Sequence, residues 1–240
     1  MPVPVFAQFT AYPNVMVALS ERDHGSMTAG GDRTRDAAVA ANRERFFCGL
    51  GIRPTSVVQL KQEHGKQVAV VERVRGKPPA ADGLLVNRPG VYLSVTVADC
   101  LPIYLYDPER SVIGVLHGGW RSLAQGIVAD AMNRLGDKFG SRPEKLLVGI
   151  GPGISRCHFV VNEDVAQRFL AFPQAFAKVG ERTMVDLKQV AAEQFVERGV
   201  RREHIEVHPD CTACLPEKYF SYRRDRPTVV EAMVAVIGLR

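Results

Sequence analysis

Three side chains of the kinds that bind metal or act as nucleophiles lie along one stretch of this sequence. They are His64 in Glu63-His64-Gly65, Cys100 in Ala98-Asp99-Cys100, and His117 in His117-Gly118-Gly119-Trp120-Arg121. Two imidazoles and a thiolate make a tridentate zinc site with a fourth position open, the arrangement of catalytic zinc, in which the metal lowers the pKa of a water. The same residues without metal make a Cys–His nucleophile, with Cys100 attacking and one histidine activating it. A third possibility is chemically silent: Cys100 as a small buried apolar residue and the histidines as satisfied loop residues. Spacing does not choose among the three, because dispersed ligand sets follow no spacing rule.

A local group competes with this one. His204-x3-His208-x2-Cys211-x2-Cys214 is compatible with a closed structural zinc site, although it overlaps a predicted strand and a proline-containing turn. Asp99 could orient a histidine or cap a turn. Arg121, following Gly118-Gly119-Trp120, brings a guanidinium beside backbone N–H groups where a strand runs towards a helix, an arrangement suited to an anion. It matches neither a P-loop nor a dinucleotide fingerprint. Trp120, the only tryptophan, is a packing residue or a stacking surface. Tyr219, Tyr222, Arg223 and Arg224 could line a pocket or form an edge strand.

The positioning elements read as alternating strands and helices. Cys100 follows the apolar run Val91–Val97 and His117 follows Val112–Leu116, so both are expected where a buried strand hands over to a loop. Val15–Leu19, a strand pair Val57–Leu60 and Val68–Val74 flanking His64, Ala80–Val86, Ile103–Leu105, Leu146–Ile150 and Ile205–Val207 complete the strands. Helical spacing appears in Asp36–Phe47, Gln125–Phe139, Asn162–Phe169 and Asp186–Arg198, and an apolar, helical segment is expected over Val229–Ile237. Intermingled strands and helices with no internal repeat or linker give an α+β class in one domain, 1–240.

Composition narrows the partners. At 240 residues and 46% hydrophobic, the chain has material for a sizeable core, and no run approaches ~20 apolar residues. Met1-Pro2-Val3-Pro4-Val5 has no signal-peptide character, so a cytoplasmic protein with no membrane partner is expected. A net charge of +5 spread along the chain suits an anionic small molecule and singles out no nucleic-acid surface. Five irregularly spaced cysteines argue against a disulfide framework.

Taken together, these segments resemble the laccase-domain, or YfiH-type, family, also known as multicopper polyphenol oxidases. The matching pieces are Gln62-Glu63-His64-Gly65, Ala81-Asp82-Gly83-Leu84, Thr96-Val97-Ala98-Asp99-Cys100-Leu101-Pro102 and His117-Gly118-Gly119-Trp120-Arg121. Further on come Gly149-Ile150-Gly151-Pro152-Gly153-Ile154 with Cys157, Cys211-Thr212 and Tyr219-Phe220-Ser221-Tyr222-Arg223-Arg224. The resemblance implies zinc on His64, Cys100 and His117, with copper as a competitor, and a mixed α/β sandwich similar to certain cysteine-hydrolase toxins. It implies a purine nucleoside phosphorylase and adenosine deaminase acting on adenosine, inosine and methylthioadenosine. Some members are instead linked to editing of peptidoglycan precursors, which a Cys–His amidase would perform.

In that reading Cys100, His64, His117 and Asp99 are catalytic, Asp99 shuttling protons, and Arg121 and Arg22 hold phosphate. The chain departs from the family at its N-terminal motif, here Arg22-Asp23-His24-Gly25-Ser26, at Ser122, and at Val230-Glu231-Ala232. A multinuclear copper centre would need more than the six histidines present.

Overall fold

The computed structural model describes residues 6–30, 32–72, 74 and 76–240; the N-terminal pentapeptide considered above lies outside them. In chain order the elements are β1 (Val15–Leu19), α1 (Arg33–Gly49), β2 (Val57–Val58), β3 (Val68–Val70), β4 (Gly83–Val86), β5 (Tyr92–Val97), β6 (Leu101–Asp107) and β7 (Val112–Gly118). They continue through α2 (Trp120–Gln125), α3 (Ile127–Phe139), β8 (Leu147–Ile150), β9 (Val160–Val161), α4 (Glu163–Gln167), β10 (Phe176–Val179) and β11 (Arg182–Val185). Last come α5 (Leu187–Glu197), β12 (Ile205–Val207), α6 (Tyr222–Asp225) and β13 (Met233–Leu239).

Two sheets stack face to face. One has the order β1-β13-β5-β2 and the other β12-β8-β6-β7-β4-β3, while β10-β11-β9 forms a small third sheet. Side-chain alternation tells the layers apart. Tyr104, Tyr106, Ile113 and Val115 face Leu93, Val95, Ala235 and Ile237 between the two sheets. Leu101, Ile103, Leu105 and Leu116 point the other way and pack on Ile127, Val128, Ala131 and Leu135 of α3 and Val190 and Phe195 of α5. Val234 and Val236 meet Phe46 and Phe47 of α1 on the outer face of the first sheet. The result is the mixed α/β sandwich expected.

Three expectations change. Val229–Ile237 holds no helix: its second half belongs to strand β13, which begins at Met233 and is buried on both faces, and a strand with two apolar faces carries no period to distinguish it from a buried helix. Gln125–Phe139 is two helices, because Gly126 at φ +90° ends α2 and begins α3 in the left-handed region. The strands flanking His64 do not pair with each other; β2 runs parallel to β5 and β3 parallel to β4. Of the remaining Val68–Val74 reading, β3 ends at Val70 and Arg73 lies outside the described residues. No described helix is long and apolar enough to cross a membrane.

Candidate metal centre

Cys100 sits where the chain changes sheets. β5 belongs to one sheet and β6 to the other, and residues 98–100 make the crossing. So short a connection requires a left-handed residue, and Asp99 takes φ +79°. The turn is pinned by Ile154 N–H donating to Asp99 O at 2.8 Å. His117 lies inside β7, opposite Pro102 of β6, one step from the strand end rather than beyond it. His64 is in a bend between β2 and β3, also left-handed at φ +57°. Two of the four non-glycine residues with positive φ among the described residues therefore belong to this site or adjoin it, where backbone strain is characteristically held.

One buried carboxylate organises the histidines. Asp82, 1% exposed, accepts from His64 N at 2.9 Å, Gly65 N at 2.7 Å and Glu63 N at 3.2 Å. Its Oδ1 also meets His117 Nδ1 at 3.0 Å, and its backbone carbonyl accepts from His117 N at 2.7 Å. With Nδ1 engaged, Nε2 is the nitrogen left for a ligand, the usual support for a metal-binding imidazole. The His64 and His117 rings stand edge to face with centroids 4.7 Å apart. Ligand atoms of His64, Cys100 and His117 all lie within 4.8 Å of one another. Gly119 keeps the space between them clear: a Cβ there would lie 3.1 Å from Cys100 Sγ and 3.5 Å from His64 Cδ2. The residues present thus fit a single metal ion.

Electrostatics agree with that use. Burial pushes the Cys100 thiol up, but the charge and hydrogen bond of His117, with His64, outweigh it and bring the thiol down to about 6. Burial likewise disfavours a charged His117, yet the Cys100 thiolate and Asp82 raise it to about 9. Asp82 is held below the usual carboxylate range: burial opposes this, and His117 and the Gly65 and Glu63 N–H groups overcome it.

The triad opens into a cavity of about 920 Å³. Trp120, Phe159 and Tyr222 contribute rings to its lining, Arg121 and Arg223 contribute guanidinium groups, and Ile154, Leu187 and Val230 contribute apolar surface. Arg121 Cζ lies 4.5 Å from the Trp120 ring and Arg223 Cζ 5.4 Å from Phe159.

The other residues singled out in the sequence fall into place unevenly. Asp99 touches neither histidine; its oxygens accept from Thr212 Oγ1 and from Arg223 N, each at 2.6 Å. The carboxylate on His117 is Asp82, which in sequence looks like an ordinary Asp-Gly turn. Arg22 does not line the cavity; it pairs with Asp225 at 3.3 Å and lies over Phe220. His204 and His208 do not join Cys211 and Cys214, because β12 between them carries the two histidines to its opposite ends. The two cysteines instead meet Cys157 and His158. Of the four residues read as a possible pocket lining, Tyr222 and Arg223 line the cavity and Tyr219 and Arg224 do not, whereas Phe159 carries no signal in the sequence and only tertiary structure brings it here.

Comparison with known proteins agrees with this architecture. The family described as multi-copper polyphenol oxidoreductase laccase matches residues 18–240. Purine nucleoside phosphorylase ORF3 of Streptomyces griseus is 35% identical over 233 residues, spanning 95% of this chain and 93% of that protein. Purine nucleoside phosphorylase YfiH of Escherichia coli is 34% identical over 197 residues, 79% of this chain and 77% of its own. Among solved structures, Bacillus licheniformis hypothetical protein YfiH superposes with a TM-score of 0.87 at 28% identity, covering 99% of this chain and 97% of that one. YlmD from Geobacillus stearothermophilus gives 0.87 at 29% identity over 95% and 93%.

Proposed function

The chain belongs to the multi-copper polyphenol oxidoreductase laccase family, and from that membership we propose that it is a purine nucleoside enzyme carrying zinc on His64, Cys100 and His117. The observation that supports this most is the convergence of two imidazoles and a thiol on the wall of a cavity lined by aromatic rings and guanidinium groups. Relatives named purine nucleoside phosphorylase point to the same substrates, a nucleoside and phosphate.

In phosphorolysis a phosphate oxygen bonds to C1′ of the ribose as the C1′–N9 bond breaks, and the electron pair leaves with the purine. Arg121 pairs with the phosphate and Trp120 with Tyr222 stacks the base, while Ile154, Leu187 and Val230 exclude water that would compete with phosphate. Asp99 acts here as a positioning residue, since both its oxygens are committed to Thr212 and Arg223. Adenosine, inosine and methylthioadenosine are the phosphorolysis substrates of this reading, and adenosine deamination is its second activity. Zinc at the triad would supply Lewis acidity and lower the pKa of a water, which deamination requires. Copper competes for the same donors, but three donor residues do not make a multinuclear oxidase centre.

A second reading rests on the Cys100–His117 pair, whose lowered thiol and raised imidazole also suit a metal-free amidase. The two are separated by measuring zinc content and phosphate-dependent release of base on the wild type and Cys100→Ala. A folded variant that holds one zinc equivalent fewer than the wild type and has lost turnover supports the nucleoside enzyme. Turnover that survives complete removal of metal by a chelator overturns the zinc reading and favours the nucleophile.

A further inference from the structure

Away from the cavity triad, four more soft donors meet at the surface. His158 Nδ1 lies 3.2 Å from Cys157 Sγ, 3.4 Å from Cys214 Sγ and 3.8 Å from Cys211 Sγ, and the Cys157 and Cys214 sulfurs are 3.6 Å apart. All four ligand atoms lie within 4.8 Å of one another. Zinc–sulfur bonds of ~2.3 Å and zinc–nitrogen bonds of ~2.0 Å set at tetrahedral angles give edges of roughly 3.8 Å between sulfurs and roughly 3.5 Å between sulfur and nitrogen. The three distances from His158 to sulfur bracket the second value and the Cys157–Cys214 distance lies close to the first, so a zinc ion fits among the donors with little movement. A disulfide needs its sulfurs at ~2.05 Å, and no pair approaches that.

The surroundings are arranged for thiolates. Backbone N–H groups of Ser155, Ala213 and Cys214 point at the Cys211 sulfur, the first at 3.4 Å. Lys188, only 5% exposed, lies near enough to Cys157 and Cys211 for their charges to interact, and its ammonium is held by His208 O and Asp210 O at 2.7 Å each. A buried ammonium beside three thiols offsets the net negative charge of a thiolate-rich zinc site. The Cys211-x2-Cys214 spacing is the local half of a zinc knuckle, and the turn at Cys157 and His158 supplies the other half.

We infer that Cys157, His158, Cys211 and Cys214 form a second metal centre, a closed Cys3His site for zinc, distinct from the His64–Cys100–His117 group. Four protein donors leave no position for substrate, so its role is structural. It clamps the turn after β8 to the turn after β12, two segments otherwise joined by the Gly153–Cys211 bridge and the Thr212 N–H to Gly153 O bond of 3.1 Å. Thr212, inside the knuckle, is the residue that reaches Asp99.

The test is zinc per chain after loading with zinc and gel filtration, in Cys100→Ala and in Cys100→Ala combined with Cys214→Ser, with circular dichroism to confirm folding. One equivalent in the first variant, lost in the second, is expected. A folded Cys100→Ala protein free of zinc overturns the inference. X-ray absorption on the loaded wild type decides the matter independently of either variant. Two or more sulfurs per zinc on average require the knuckle, because the cavity triad offers only one; one sulfur per zinc, or no retained zinc, overturns it. Neither measurement depends on nucleoside turnover, so this inference and the proposed activity stand or fall separately.

Discussion

His117 Nδ1 lies 3.0 Å from Asp82 Oδ1, and both side chains are almost wholly buried. The same carboxylate receives three consecutive backbone N–H groups from residues 63–65. One side chain therefore sets the tautomer of one histidine and the backbone bearing the other. Asp82→Asn keeps the side-chain shape, but it leaves one acceptor oxygen where two are used, so its NH2 group faces backbone N–H donors of residues 63–65, and it removes the charge that holds the His117 ring in its ligating form. A loss of metal affinity of roughly 10- to 100-fold is expected, read by competition with a chromophoric chelator. Unchanged affinity would show that Asp82 serves only the loop.

Gly119 offers a cleaner probe. Its backbone has φ −74°, which any residue adopts, so Gly119→Ala introduces no backbone strain. The added methyl would lie 3.1 Å from Cys100 Sγ. Displacing the sulfur by a few tenths of an ångström should lower metal occupancy and nucleoside turnover at least tenfold. The melting temperature of the metal-free protein should change little. An alanine variant with full zinc content and wild-type kcat would mean that the cradle is looser than the distances indicate.

Much of this site can be read in the sequence because two of its members are announced by what precedes them. Val91–Val97 and Val112–Leu116 are apolar enough to be strands, which puts Cys100 and His117 at or near strand ends, where the structure has them. Asp82 carries no such mark. An acid before a glycine reads as a turn, and its task depends on β4 pairing with β7. The same limit applies to the knuckle: Cys211-x2-Cys214 is visible, but its partners lie more than fifty residues upstream, and the nearer His204 and His208 look equally suitable. The misread β13 has a different cause. A strand covered on both faces loses the alternation that identifies strands.

The Cys100–His117 pair should separate reactivity from stability as pH changes in protein stripped of metal. Cys100, lowered from 9.0 to about 6, contributes stability above its ordinary value and loses it as pH falls through about 6. His117, raised from 6.5 to about 9, contributes fully below 6.5 and loses its share as pH rises through about 9. The two contributions run in opposite directions across the same window, so their sum is nearly flat between them. Asp82, lowered in the fold, then governs the acid side, its contribution lost as pH falls through its depressed value. The alkylation rate of Cys100 should instead rise with a midpoint near 6. Mass spectrometry of the Cys100 peptide after brief iodoacetamide treatment across this range tests it, and a midpoint near 9 would falsify the pairing.

Thr212 links the knuckle to the crossover between the sheets. Its hydroxyl donates to Asp99 Oδ1 at 2.6 Å, Arg223 N–H fills Oδ2, and Asp99 itself is 8% exposed with a left-handed backbone. Thr212→Val keeps the shape and removes the donor, leaving a buried carboxylate oxygen unpaired. Such a loss costs about 1–3 kcal/mol, measurable by urea unfolding at neutral pH. Thr212→Ser retains the hydroxyl and should recover most of that stability, which a packing defect at the lost methyl would not allow. Turnover should follow the same order, because Asp99 adjoins Cys100 and anchors Arg223 at the cavity wall. If Thr212→Val is as stable and active as wild type, the Asp99 carboxylate is not held through Thr212, and zinc in the knuckle would have no route to the cavity through this contact.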